Sequence, residues 1–150
     1  MRTFKCLGTL LLACTLSSCM SVEHLPPSYQ GPVATIDQTI RIDGEKRNCG
    51  FVLAVDDKKY EFSGVSNLKP VFKVESGKHR LLLRGHVVYL MEIRNFNPPP
   101  HAEGWVEVDL VAGKSYRVMT ETDQAGTRVW LSDAENSQPV SPVIQAGTTR

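Results

Sequence analysis

Hydrophobic and polar residues alternate along much of the chain after residue 32. The alternation is clearest in Trp105-Val106-Glu107-Val108-Asp109-Leu110, where Val106, Val108 and Leu110 share one face and Glu107 and Asp109 the other. A period of two marks a half-buried strand, because successive side chains on extended backbone point to opposite sides. Val129 and Leu131 alternate in the same way with Trp130 and Ser132. Phe51, Leu53 and Val55 run into Asp56-Asp57-Lys58, a turn signal, after which Tyr60 and Phe62 return as the second arm of a hairpin. Phe72 and Val74 precede a further turn, Ser76-Gly77-Lys78. His79 to Arg84 and His86 to Phe96 then read as long strands, with Gly85 between them as a bulge or a bend. No amphipathic helical period follows residue 19. Turn signals recur at roughly 8–12 residues, the spacing of small sandwiches. The pattern therefore predicts an all-β domain, a small antiparallel β-sandwich over residues 33–141.

Two stretches echo each other. Val74-Glu75-Ser76-Gly77-Lys78 leads into Leu81-Leu82-Leu83, and Leu110-Val111-Ala112-Gly113-Lys114 leads into Tyr116-Arg117-Val118-Met119. Each reads as strand, tight turn with glycine at a positive-φ position, lysine and strand; repeated hairpin chemistry accounts for the likeness as well as duplication does. Asn97-Pro98-Pro99-Pro100-His101, within 95–103, cannot sit inside a sheet and reads as an exposed, stiff loop, either a partner-binding tip or a connection that blunts edge pairing. The polar stretch 142–150 reads as a frayed tail.

The first 32 residues follow a different pattern. Arg2 and Lys5 give a short positive region, and Cys6 to Leu16 is an apolar run too short to span a ~30 Å hydrocarbon core as a helix. A positive end, a short apolar run and small residues at its exit mark a secretory signal. Leu16-Ser17-Ser18-Cys19 resembles a lipobox, the bacterial lipoprotein signature of an aliphatic residue, two small residues and a cysteine. The resemblance implies a signal peptide over 1–18, cleavage before Cys19, and lipid carried on the Cys19 thiol and on the new amine. Leu11-Leu12-Ala13-Cys14 fits the same pattern with a shorter apolar run, so Cys14 is the competing attachment site. Residues 19–32, with Pro26, Pro27 and Pro32, then read as a lipidated N-terminus and a flexible tether. Several acyl chains on one cysteine hold a protein on a membrane durably, whereas one chain binds marginally.

Charge and cysteine count sharpen this reading. The net charge is +1 over 150 residues; without Arg2 and Lys5 the basic count falls from 17 to 15 against 16 acids, a net of −1. No basic field remains to draw nucleic acid. Of the four cysteines, Cys6 and Cys14 leave with the signal and Cys19 is acylated. Cys49 then stands without an intramolecular partner and reads as a buried, inert thiol. His24, His79, His86 and His101 lie in no metal-ligand spacing, and no nucleophile elbow or phosphate loop occurs. The sequence thus offers no catalytic, metal or cofactor-binding residues. Carboxylates such as Asp56, Asp57, Glu61 and Glu75 cluster near turns, and an enzyme with a cross-strand acidic pair is the alternative the sequence leaves open.

Ala54-Val55-Asp56-Asp57-Lys58, Ser76-Gly77-Lys78-His79-Arg80-Leu81, Ala112-Gly113-Lys114-Ser115-Tyr116-Arg117-Val118 and Val129-Trp130-Leu131-Ser132-Asp133-Ala134 resemble segments of small proteobacterial lipoproteins with a transthyretin-like or PEGA-like β-sandwich. That resemblance implies an envelope location and a non-enzymatic binding or assembly module, with an envelope protein or polymer as partner. It supplies no catalytic residues. Met20 and Ser21 follow the cysteine where an inner-membrane lipoprotein commonly carries aspartate, which by analogy implies the outer membrane, facing the periplasm, in a Gram-negative host.

Overall fold

The computed structural model describes residues 25–26, 28–59, 71–89 and 101–146. The Cys19 and Cys14 lipid sites, the signal segment, the Tyr60–Phe62 return strand and residues 97–100 of the proline loop lie outside them. Within the described residues run β1 (Val33–Asp37), β2 (Thr39–Asp43), β3 (Lys46–Val55), β4 (Lys58–Lys59), β5 (Val71–Glu75), β6 (Gly77–Tyr89), β7 (His101–Leu110), β8 (Ser115–Asp123), β9 (Gly126–Asp133) and β10 (Ile144–Ala146). They form two five-stranded sheets, one ordered β10-β9-β8-β1-β5 and the other β2-β3-β6-β7, with β4 paired to β3. The fold is the all-β sandwich that the alternation predicts. Its pairs are antiparallel except β1 with β8, which run parallel.

Alternation decides which residues fill the space between the sheets. Ile36, Val74, Tyr116, Val118, Val129 and Leu131 come from one sheet, and Val52, Val55, Leu81, Leu83, Val106 and Leu110 from the other; all are buried. Each such aliphatic side chain contributes about 1.5–3 kcal/mol when fully removed from water. The Tyr116 hydroxyl lies in the same core, and it accepts a hydrogen bond from the Val111 amide at 2.9 Å, so its polar end is not stranded. Glu107 and Asp109 face outward as the pattern requires, opposite Arg80 and Lys78 of β6.

Four expectations change. The two Gly-Lys turns do carry positive φ, 127° at Gly77 and 76° at Gly113. They are corners between sheets, however, and close no hairpin: β5 and β8 belong to one sheet, β6 and β7 to the other. Both corners dock on the start of β1, through Ser76 N–H to the Pro32 carbonyl at 3.1 Å and Gly113 N–H to the Val33 carbonyl at 2.7 Å. The irregularity expected at Gly85 falls at Leu53, where the β3–β6 register slips between Val52 and Ala54; β6 itself runs unbroken through Gly85. His101–Glu103, assigned by sequence to the proline loop, are the first residues of β7 because they pair with Arg84–His86. Finally, part of the tail folds back. Val140 N–H reaches the Leu131 carbonyl at 2.9 Å, and Ile144–Ala146 pair with Val129–Thr127, giving β9 a neighbour on its outer edge.

The Asp56-Asp57 turn closes the short β3–β4 hairpin, with Asp56 at φ 52°. Its carboxylate accepts from the Arg80 amide at 2.9 Å and meets His79 Nδ1 at 2.9 Å. That staple ties the hairpin turn to β6.

Candidate partner-binding edge

β1 and β2 are one extended run broken at Gln38, where the chain passes from one sheet to the other. Two side chains hold the crossing. The Thr39 hydroxyl donates to the Val118 carbonyl of β8, and the Val52 amide donates to Gln38 Oε1 at 3.1 Å. Val52 lies between the stretch of β3 paired with β2 and the stretch paired with β4, so the Gln38 side chain fills a gap in the ladder.

Among the described residues β2 ends its sheet and pairs with β3 alone. Thr39, Arg41 and Asp43 alternate with Ile40 and Ile42, and the latter two are 52% and 62% exposed. Arg41 and Asp43 have no ion-pair partner among the described residues. Alongside the strand lies an open groove of about 800 Å³, lined by Ile40, Arg41 and Ile42 and, across from them, Val71, Arg117 and Met119. A free strand edge offers unpaired backbone donors and acceptors, and natural proteins usually blunt such edges with charged side chains, proline, a bulge or a short strand. β2 is short and carries Arg41 and Asp43, but it has no proline and no bulge, and its two isoleucines stay exposed. Chemically the arrangement suits the addition of an extended segment. Main-chain hydrogen bonds would supply affinity, and Ile40, Ile42, Val71 and Met119 would meet alternate side chains.

Among the described residues, His79, His86, His101 and Cys49 do not come together as a metal-binding group. His79 and His86 stand on opposite faces of β6, as residues seven apart on a strand must. Cys49, His86 and His101 form a cross-strand row on the face away from the core. The His86 ring sits 5.2 Å from Phe51, and among the described residues no group of three His, Cys, Asp or Glu is placed to hold a metal ion. Burial lowers the His86 pKa, with Arg84 and then His101 adding to the shift. Cys49 is free and buried, and burial pushes its thiol up, only partly offset by Arg47. A thiol so placed is a poor nucleophile.

Several acidic residues meet cations. Glu103 pairs with Arg84, Glu121 and Asp123 share Arg128 at 3.2 and 2.9 Å, and Asp133 holds Lys114 at 2.8 Å. Lys114 and the Glu135 amide hold the Asp133 carboxyl below the ordinary aspartate range, and Asp133 in turn raises Lys114. These pairs tie strands and corners together.

Sequence reasoning passed over β2. Its alternation was visible in Thr39-Ile40-Arg41-Ile42-Asp43, but two isoleucines on one face of a strand read as core-facing until the neighbouring sheet is placed. Comparison with family models, with curated proteins and with solved structures finds no match.

Proposed function

We propose that this chain is a lipid-anchored, non-enzymatic lipoprotein of the cell envelope whose sandwich domain binds a protein partner along β2. The observation that carries the binding half is the edge strand with Ile40 and Ile42 exposed beside an open groove. The anchoring half rests on the sequence before residue 25: the short apolar run, Leu16-Ser17-Ser18-Cys19, and the prolines that follow. In this reading Cys19 carries the acyl chains, the domain sits on the outer membrane facing the periplasm, and β2 meets the partner. The relation to transthyretin-like or PEGA-like lipoproteins belongs to the same proposal and rests on the four sequence segments named above.

Two experiments test the two halves separately. Intact-mass analysis of the mature protein is expected to show a chain beginning at Cys19 with diacylglyceryl and amide-linked acyl groups; a free thiol at Cys19 or a retained Met1 overturns the anchor. A photo-crosslinking residue at Ile42 of the full chain, activated in cells, is expected to trap a discrete adduct that the same probe at Trp130 does not. Equal trapping at both positions, or none at Ile42, overturns the binding edge.

A further inference from the structure

We infer that the protein partner of β2 is a second copy of this chain, joined antiparallel along β2 with Ile42 on the two-fold axis. The inference rests on β2 being the binding edge.

A symmetric antiparallel pair of edge strands has its two-fold axis normal to the sheet, and this keeps every side chain on its own face. Residues of like facing must therefore oppose one another, so the axis passes through a residue. Five axis positions lie within Thr39–Asp43, and the one at Thr39 would need Asp37 opposite Arg41, although Asp37 is already paired within the other sheet. An axis at Arg41 sets two guanidinium groups opposite each other, and an axis at Asp43 does the same with carboxylates; like charges directly opposed destabilise a ladder. An axis at Ile40 sets Arg41 against Thr39 and leaves Asp43 without a cation. The axis at Ile42 places Arg41 opposite Asp43 of the second copy, twice by symmetry, and Ile42 against its own equivalent. Ile40 then faces Gly44 of the second copy, a turn residue with φ 59° whose side-chain direction is open space.

That register takes up what β2 leaves unused in one chain: the exposed Ile40 and Ile42, and Arg41 and Asp43, which have no ion-pair partner among the described residues. The two four-stranded paths β2-β3-β6-β7 become one continuous sheet. The seam is short, one five-residue strand from each copy, whereas stable complexes commonly bury upward of roughly 1,200 Å² of total surface. Pairing is therefore weak between free molecules and is favoured where anchoring on one membrane raises the effective concentration.

The test uses the full chain in cell membranes. Opposed residues of an antiparallel pair have α-carbons about 4.5–5.5 Å apart, within disulfide reach. Ile42→Cys is expected to give a disulfide-linked dimer on mild oxidation, whereas Val143→Cys, exposed on another part of the domain, is not. In the Ile42→Cys background, Arg41→Asp alone and Asp43→Arg alone each set like charges opposite at both symmetric positions and are expected to lower the dimer yield about five-fold or more. The double swap Arg41→Asp with Asp43→Arg is expected to restore it. All positions changed on β2 are exposed, and protection of the Cys49 thiol reports that each variant is folded. No dimer from Ile42→Cys, equal dimer from Val143→Cys, or a double swap no better than either single change overturns the inference. If Ile42→Cys stays monomeric while the photo-crosslinker at Ile42 still traps another protein, the second copy is wrong and the binding edge stands. If neither traps anything, both fall.

Discussion

Gly50 and Gly85 lie directly opposite each other in the β3–β6 ladder, and both turn a bare α-carbon toward Thr120 of the facing sheet. A β-carbon on Gly85 would stand 2.7 Å from Thr120 Oγ1 and 2.8 Å from Val129 Cβ; one on Gly50 would stand 2.7 Å from the Val118 carbonyl oxygen. This closeness lets the Thr120 hydroxyl donate to the Cys49 carbonyl at 3.1 Å, a hydrogen bond between the two sheets. Gly85→Ala is therefore expected to cost about 1–3 kcal/mol, the range for overpacking a filled core. Thermal denaturation checks it. Combining Gly85→Ala with Thr120→Ala, which removes two of the clashing atoms, should cost less than the sum of the single changes. Additive losses would show that the approach of the sheets is not what requires glycine.

Asp133 is 4% exposed and accepts from Lys114 and from the Glu135 amide at 2.9 Å. Its carboxyl titrates below its ordinary value, so its contribution to stability is present above the unfolded-state pKa and is lost as pH falls through the lower folded value. Asp133→Asn should lower Tm at pH 7. The gap between variant and wild type should begin to narrow at about pH 4, near the unfolded aspartate pKa, and go on narrowing as pH falls further. Tm measured across pH 3–7 decides it, and a gap independent of pH would remove the ion pair as its cause.

His86 works in the opposite chemical sense. Burial against Phe51 favours the neutral ring, so the folded pKa lies below the unfolded one. The unfolded chain then binds more protons as pH drops beneath about 6.5, and stability falls in that window. His86→Gln should flatten the fall in Tm between pH 7 and 5. An unchanged slope would move the responsibility to other groups.

Thiol titration bears on both the core and the proposed anchor. If the chain is cut and acylated at Cys19 as proposed, it is expected to show no reactive thiol when folded and a single one, Cys49, in denaturant. A second thiol released by denaturant would mean that Cys19 carries no thioether.

Much of the fold was legible in the sequence because alternation is a local property. Val106, Val108 and Leu110 had to share a face whichever sheet they joined, and Val129 and Leu131 likewise. The choice of partner strand is not local. Ser76-Gly77-Lys78 and Ala112-Gly113-Lys114 have the grammar of hairpin turns, yet the chain crosses between sheets at both, since positive φ at glycine reverses or redirects a chain equally well. The slip at Leu53 left no mark because no glycine or proline accompanies it. Residues 142–146 read as polar tail, whereas Ile144 packs against the bare α-carbon of Gly104 on β7, a contact made at long range. The candidate edge was hidden for the same reason: Ile40 and Ile42 have the spacing of core residues, and only the topology shows that nothing in the described sandwich covers them.

The position of β1 bears on when the molecule can close. Among the described residues Val33–Asp37 pair with strands beginning at Val71 and Ser115, and the two sheet-crossing corners rest on Pro32 and Val33. A chain emerging N-terminus first thus has no ladder for its earliest strand until most of its length has followed. Contacts so distant in sequence slow folding and are made late. The place of β1 between β5 and β8 therefore ties the start of the sandwich to strands that are made long after it.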